Sequence, residues 1–79
     1  MKVEVRLFAT LAQYLPPNSK GNTASVDLPE EITVEALVAR LGLSDDLPTV
    51  TLVNGLDATP GQRLSDGDVV SLFPPLSGG

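Results

Sequence analysis

Thr33-Val34-Glu35-Ala36-Leu37-Val38-Ala39-Arg40-Leu41-Gly42 is the stretch around which the rest of the chain can be ordered. Val34, Leu37, Val38 and Leu41 stand at positions i, i+3, i+4 and i+7, one face of a helix, while Glu35 and Arg40 point to solvent. The ends agree with the middle. Thr33 is suited to cap the first turn, Glu30, Glu31 and Glu35 place negative charge near the positive end of the helix dipole, and Gly42 suits the left-handed residue that closes a helix.

On the N-terminal side of this helix the period changes to two. Val3, Val5 and Leu7 alternate with Lys2, Glu4 and Arg6, which gives a strand with one apolar and one charged face. Ala9 to Leu15 has room for a short helical turn before Pro16-Pro17 ends it, and residues 16–22 read as a loop. Ala24, Val26 and Leu28 alternate with Ser25 and Asp27 up to Pro29, a second strand returning along the first.

On the C-terminal side, a turn-rich stretch from Ser44 to Pro48 precedes Val50 and Leu52, which alternate with Thr51. Asn54-Gly55 then signals a tight hairpin. Residues 56–62 read as a short edge strand dissolving into a loop at Pro60-Gly61, with Leu64 as a buried peg. Ser65-Asp66-Gly67-Asp68 turns the chain into a last strand over 69–73, with Val70 and Leu72 towards the core and Val69, Ser71 and Phe73 on the other side. Two strands, a helix and three strands, the middle one short, predict an α+β roll: a mixed sheet of four to five strands packed on one main helix. Pattern alone leaves the strand order open. The expected division is a domain over residues 1–73 and a flexible C-terminal functional tail over 74–79.

Length and composition narrow the function. The chain has 79 residues, enough for one compact core and not for two. Only three residues are aromatic, Phe8, Tyr14 and Phe73, so the core must be built from Val, Leu and Ala. Five basic against ten acidic residues give a net charge of -5, the wrong sign for gaining affinity by phosphate neutralisation, and nucleic acid is not an expected partner. An acidic surface suits a basic patch on a protein partner. Cysteine and histidine are absent, which removes disulfides, thiol catalysis, the usual zinc sites and the commonest general base. No apolar run approaches the roughly 20 residues of a membrane span and no secretory segment follows Met1-Lys2, so a cytoplasmic protein without a membrane partner is expected.

Phe73-Pro74-Pro75-Leu76-Ser77-Gly78-Gly79 runs directly out of the last strand. The two prolines hold the base of this segment extended, and the two glycines make its tip slender and free of side chains. At ~3.3–3.6 Å per extended residue, residues 74–79 can reach roughly 20 Å from the sheet, deep enough for a partner's active site. Chain ends rich in Gly and Ser are also common where they have no function, so composition alone leaves both readings standing.

The stretch from Leu64 through Gly79, Leu-Ser-Asp-Gly-Asp-Val-Val-Ser-Leu-Phe-Pro-Pro-Leu-Ser-Gly-Gly, resembles the C-terminal signature of the MoaD/ThiS-type ubiquitin-like sulfur carriers, most of all the small subunit of molybdopterin synthase. Val5-Arg6-Leu7-Phe8-Ala9 is similar to that family's first strand, Thr33-Val34-Glu35-Ala36-Leu37 to its helix start, and Val53-Asn54-Gly55 to its central hairpin, so the resemblance covers essentially the whole chain. It implies a β-grasp fold. It also implies a cycle in which a ubiquitin-activating-like adenylyltransferase uses ATP to adenylate the carboxylate of Gly79, and a sulfur donor enzyme displaces AMP. The resulting thiocarboxylate then goes to the large catalytic subunit of molybdopterin synthase or an equivalent sulfur acceptor. On this resemblance Gly79 is the reacting group. Gly78, Ser77, Leu76, Pro75 and Pro74 are then channel contacts. The parity of Phe73 and Val69, opposite to Val70 and Leu72, suits an apolar anchor for a partner beside the tail, although core packing against a loop explains these two equally. No permanently bound cofactor and no metal is implied, and the chain is not expected to catalyse alone.

Other signals have simpler readings. Asp66-Gly67-Asp68 and Asp45-Asp46 lack the spacing of a calcium loop, Glu30-Glu31 suits a helix start better than acid–base work, and Lys2, Arg6, Lys20, Arg40 and Arg63 are scattered. Related carriers for thiamine, cysteine, tRNA thiolation or tungsten cofactor share the two glycines, as do ubiquitin-like protein modifiers, whose arginine-rich approach is missing here. A β-grasp binding module without terminal chemistry is the third class.

Overall fold

A computed structural model describes residues 1–43, 50–59 and 61–74 of the chain. The elements follow in the order β1 (Lys2–Leu7), a 3-10 helix (Ala9–Tyr14), β2 (Thr23–Asp27), α1 (Val34–Arg40), β3 (Val50–Val53), β4 (Leu56–Asp57) and β5 (Val69–Phe73). The strands form one sheet in the order β2-β1-β5-β3-β4. β1 pairs antiparallel with β2, Val3 opposite Val26 and Val5 opposite Ala24, and parallel with β5, Val5 opposite Val70 and Leu7 opposite Leu72. β5 runs antiparallel to β3, which turns back into β4.

The sheet has one buried face because its two central strands alternate in phase. Val3, Val5 and Leu7 of β1 and Val70 and Leu72 of β5 are all essentially buried, and they share one core with Val34 and Leu37 of α1, Leu11 of the 3-10 helix, and Leu28, Ile32, Leu43 and Leu64 from the connections. Val38 and Leu41, on the same helical face, pack at its margin. The core is aliphatic, as a chain with three aromatic residues requires.

The helix ends are built as the residues dictate. Thr33 has extended backbone and its Oγ1 accepts a hydrogen bond from the Ala36 N–H at 3.2 Å, a cap that contributes about 1 kcal/mol. Gly42 ends α1 with φ of 87° and the Leu43 N–H returns to the Val38 carbonyl, which directs Leu43 into the core. Glu31 reaches Arg63 at 3.4 Å, and Glu35 accepts from the Gly61 N–H at 2.6 Å, so two acidic residues near the helix start tie it to the segment before Leu64. Asn54 and Gly55 take φ of 53° and 85°, both in the left-handed region, as the two-residue turn between β3 and β4 demands.

The inward face of β3 is set by its register with β5. Val50 and Leu52 do alternate with Thr51, but Val53 is the buried residue of β3, opposite Val70, and Thr51 sits opposite Leu72 on the helix side. Val50 and Leu52 therefore face away from the helix, opposite Phe73 and Ser71. The turn expected from Ser44 to Pro48, the Asp45-Asp46 pair and Pro60 lie outside the described residues.

Candidate functional site

The face of the sheet turned away from α1 is divided along its width. On β2 and β1 it carries Thr23, Ser25 and Asp27 beside Lys2, Glu4 and Arg6, with the Arg6 Nε on the Glu4 carboxylate at 2.6 Å. On β5 and β3 it carries Val69, Ser71 and Phe73 beside Val50 and Leu52. The change from charged to apolar falls between the two parallel central strands, because β1 places ions at its outward positions and β5 places Val, Ser and Phe at its own.

Phe8 completes the apolar half. Its backbone N–H donates to the Leu72 carbonyl at 3.2 Å, extending the β1–β5 ladder by one residue. Its ring then lies flat on that of Phe73, centroids 4.6 Å apart and planes 5° from parallel. Ala9 follows with φ of 53°, a left-handed conformation that costs an alanine about 1–2 kcal/mol. That reversal leaves Phe8 on the outer face while the 3-10 helix drops over the end of the sheet and buries Leu11. Phe8, Val69, Leu52 and Phe73 are each half-buried, and Val50 is 43% exposed. The result is an apolar stripe of Phe8, Phe73, Val50, Leu52 and Val69 bordered by the Glu4–Arg6 pair, open to a partner and anchored by an aromatic stack.

Of the residues expected to act from sequence, Val69 and Phe73 lie on this stripe and Pro74, partly buried, continues from its end. The structure separates them from the core on the helix side. Pro75, Leu76, Ser77, Gly78 and Gly79 lie outside the described residues. Phe8, Val50 and Leu52 belong with Phe73, and the sequence reading did not group them. The available signal was Phe8 itself, an aromatic residue at the parity of Lys2, Glu4 and Arg6. Glu30-Glu31 does not assemble an acid–base pair, since Glu31 is paired with Arg63. Among the described residues no cluster of three acidic side chains is arranged to hold a metal ion, and no helix is long and apolar enough to cross a membrane.

A mixed sheet whose first and last strands pair in parallel at its centre, with one helix across a single face, is the ubiquitin-like β-grasp fold. The chain belongs to the ThiS family, whose model matches residues 5–79. It is thus a ThiS/MoaD-type ubiquitin-like sulfur carrier or modifier. SAMP1 from Haloferax volcanii is similar over 100% of both chains, with 32% identity and a TM-score of 0.71. A putative molybdopterin converting factor subunit 1 from Pyrococcus furiosus matches 95% of this chain and 98% of its own, with 26% identity and a TM-score of 0.74. A chain from the complex of subunits 1 and 2 of the molybdopterin-converting factor of Helicobacter pylori matches over 100% of both chains at 27% identity, with a TM-score of 0.63. A trigger factor of Bifidobacterium adolescentis is 35% identical over 72 residues, and the chain spans 16% of the length of that curated relative.

Proposed function

We propose that this protein carries sulfur on the carboxylate of Gly79 for the assembly of molybdopterin. The observation that carries the reading is the apolar stripe around the Phe8–Phe73 stack, at the last residue of β5 and directly before the Pro74 to Gly79 segment in the sequence. Residues 1–73 then serve as the body that a partner grips, and residues 74–79 as the tail that enters its active site.

The chemistry proceeds in two displacements. The Gly79 carboxylate attacks the α-phosphate of ATP held by a ubiquitin-activating-like adenylyltransferase, pyrophosphate leaves, and the acyl carbon acquires a good leaving group. Sulfur supplied at the sulfide level by a donor enzyme adds at that carbon as hydrosulfide, AMP departs with the electron pair of the broken C–O bond, and a thiocarboxylate remains. A glycine offers the least obstruction to both approaches. The groups that accelerate these steps belong to the partners, which accounts for a chain without cysteine or histidine. ATP and the delivered sulfur are substrates passing through, and a cytoplasmic setting supplies both. The complex of subunits 1 and 2 from Helicobacter pylori supports a second, larger subunit as the acceptor.

The test is the intact mass of the untagged protein after incubation with ATP, a sulfide source and the activating enzyme of its own host. Replacement of one oxygen by sulfur, mapped to Gly79, is the expected result. An unchanged mass, where the same enzyme sulfurates an established carrier, would leave a binding module without terminal chemistry. The full-length similarity to SAMP1 favours one second reading, conjugation of Gly79 to protein lysines, which the same reaction with added acceptor protein would reveal as an isopeptide-linked adduct.

The stripe makes a separate prediction. Phe73→Ala removes an exposed half-ring and a stack contributing about 0.5–1.5 kcal/mol, so stability should fall by no more than roughly 2 kcal/mol. Binding to the activating enzyme should weaken by at least about 2 kcal/mol, the loss expected of a central aromatic anchor. Titration calorimetry beside urea unfolding separates the two. A loss of stability larger than the loss of binding would return Phe73 to a purely structural role.

A further inference from the structure

The turn at Asn54-Gly55 holds a reactive pair in a protected geometry. Gly55 has no side chain to shield its backbone nitrogen, and both residues are exposed. In a flexible chain that nitrogen attacks the neighbouring Asn side-chain carbonyl carbon with little hindrance. Here the side chain is tied elsewhere. Asn54 Oδ1 accepts from the Val69 N–H at 2.9 Å, and its Nδ2 donates to Asp68 Oδ1 at 3.0 Å. Its own backbone N–H donates to the Val69 carbonyl at 2.8 Å. To bring Cγ onto the Gly55 nitrogen, the side chain must rotate away from β5 and give up both of its hydrogen bonds.

We propose that Asn54 is a site of spontaneous deamidation held in check by the folded hairpin, and that its product unties the hairpin from the start of β5. The Gly55 nitrogen loses its proton and forms a bond to Asn54 Cγ, and Nδ2 leaves as ammonia, closing a cyclic imide. One water molecule then opens the ring at either carbonyl, giving Asp at position 54 or its isoaspartyl form. No oxidant or reductant is involved.

Either product opposes the native contacts. A carboxylate at position 54 cannot donate to Asp68, which already accepts the Ser65 N–H on its Oδ2 at 2.8 Å, and it sets like charges at hydrogen-bond distance where a donor and an acceptor had met. The isoaspartyl form also adds a backbone atom to a two-residue turn whose register depends on left-handed conformations at both positions. Once formed, the product hinders the reclosing of the turn that had protected its precursor. The reaction is therefore a one-way report of hairpin opening.

The experiment incubates the full chain at mildly alkaline pH with and without urea, reading ammonia loss by peptide mass mapping and isoaspartate by enzymatic methylation. Asn18 and Asn22, followed by Ser19 and Thr23, are internal comparators. Deamidation at Asn54 is expected to be the fastest of the three in urea and at least about tenfold slower in the folded protein, since each 1.4 kcal/mol needed to open the turn is a factor of ten. Equal rates in the two states would overturn the protection, and no preference for Asn54 in urea would overturn the site. Asn54→Asp should lower the unfolding midpoint and speed hydrogen exchange of the Val69 amide. Asn54→Gly, which keeps the turn geometry and removes the ties without adding charge, should lie between it and the parent protein. A midpoint for Asn54→Asp at or above that of Asn54→Gly would overturn the charge argument.

Discussion

Deleting Gly79 is expected to abolish sulfuration outright while leaving the unfolding midpoint of the protein where it was. Among the described residues, the β1–β5 and β3–β5 ladders, the core around Leu37 and Leu72, and the Phe8–Phe73 stack all lie at or before residue 73. Removing Gly79 leaves each of these contacts in place. It does shift the terminal carboxylate onto Gly78, one residue short of where a channel built for the full tail would hold it. Misplacing a reacting atom by even about 1 Å is enough to lose on the order of a hundredfold in rate, and a residue of extended chain is about 3.4 Å. Intact mass after incubation with the activating enzyme reads the first effect, and urea unfolding reads the second. Sulfuration of the shortened chain at the parent rate would remove Gly79 from the reaction. An unfolded shortened chain would contradict the separation of body and tail.

The second large effect is at the opposite face. Leu37 is fully buried and, with Val34, brings α1 into the core cluster that also holds Val3, Val5, Leu7, Val70 and Leu72 of the two central strands. Leu37→Ala is expected to cost about 2–5 kcal/mol, depending on how far the helix settles into the space. A domain of this length has roughly 4–12 kcal/mol in total, so the variant should lose a large share of its stability and unfold at a clearly lower denaturant midpoint. Chemical denaturation followed by circular dichroism measures it directly. A loss below about 1 kcal/mol would mean that the helix does not depend on this contact, against the burial pattern that defines the core. Sulfuration should fall with the folded fraction and no further, because Leu37 faces away from the stripe.

The elements of this fold were legible wherever local chemistry and periodicity agreed. Thr33 and Gly42 bracket a helix whose apolar positions recur at helical spacing, and Asn54-Gly55 specifies a turn that few other dipeptides can form. β1 was legible because charge and apolar residues alternate strictly. The phase of β3 was not legible because Val50, Leu52 and Val53 are all apolar, so a period of two can be started on either parity, and only the register with β5 decides it. The parallel pairing of β1 with β5 joins residues more than sixty positions apart, and no local pattern encodes such a contact. The same limit hid half of the candidate site. Val69 and Phe73 could be placed by alternation within β5, but Phe8 joins them only because two distant strands meet, and the reversal at Ala9 that holds it there takes a conformation that alanine seldom adopts.

The central place of β5 also governs when the protein can exist at all. Both ladders of the sheet's middle close on residues 69–73, so a growing chain that has not yet produced them has no sheet connecting β1 to β3 and cannot bury Leu7 or Val53. Closing so long a loop is an entropic expense met late, which predicts slow, all-or-none folding for a domain of this size. The strand that completes the body is also the one from which the tail emerges. A nascent or prematurely truncated product therefore has no assembled stripe, and the outer face exists only in molecules whose synthesis has passed β5.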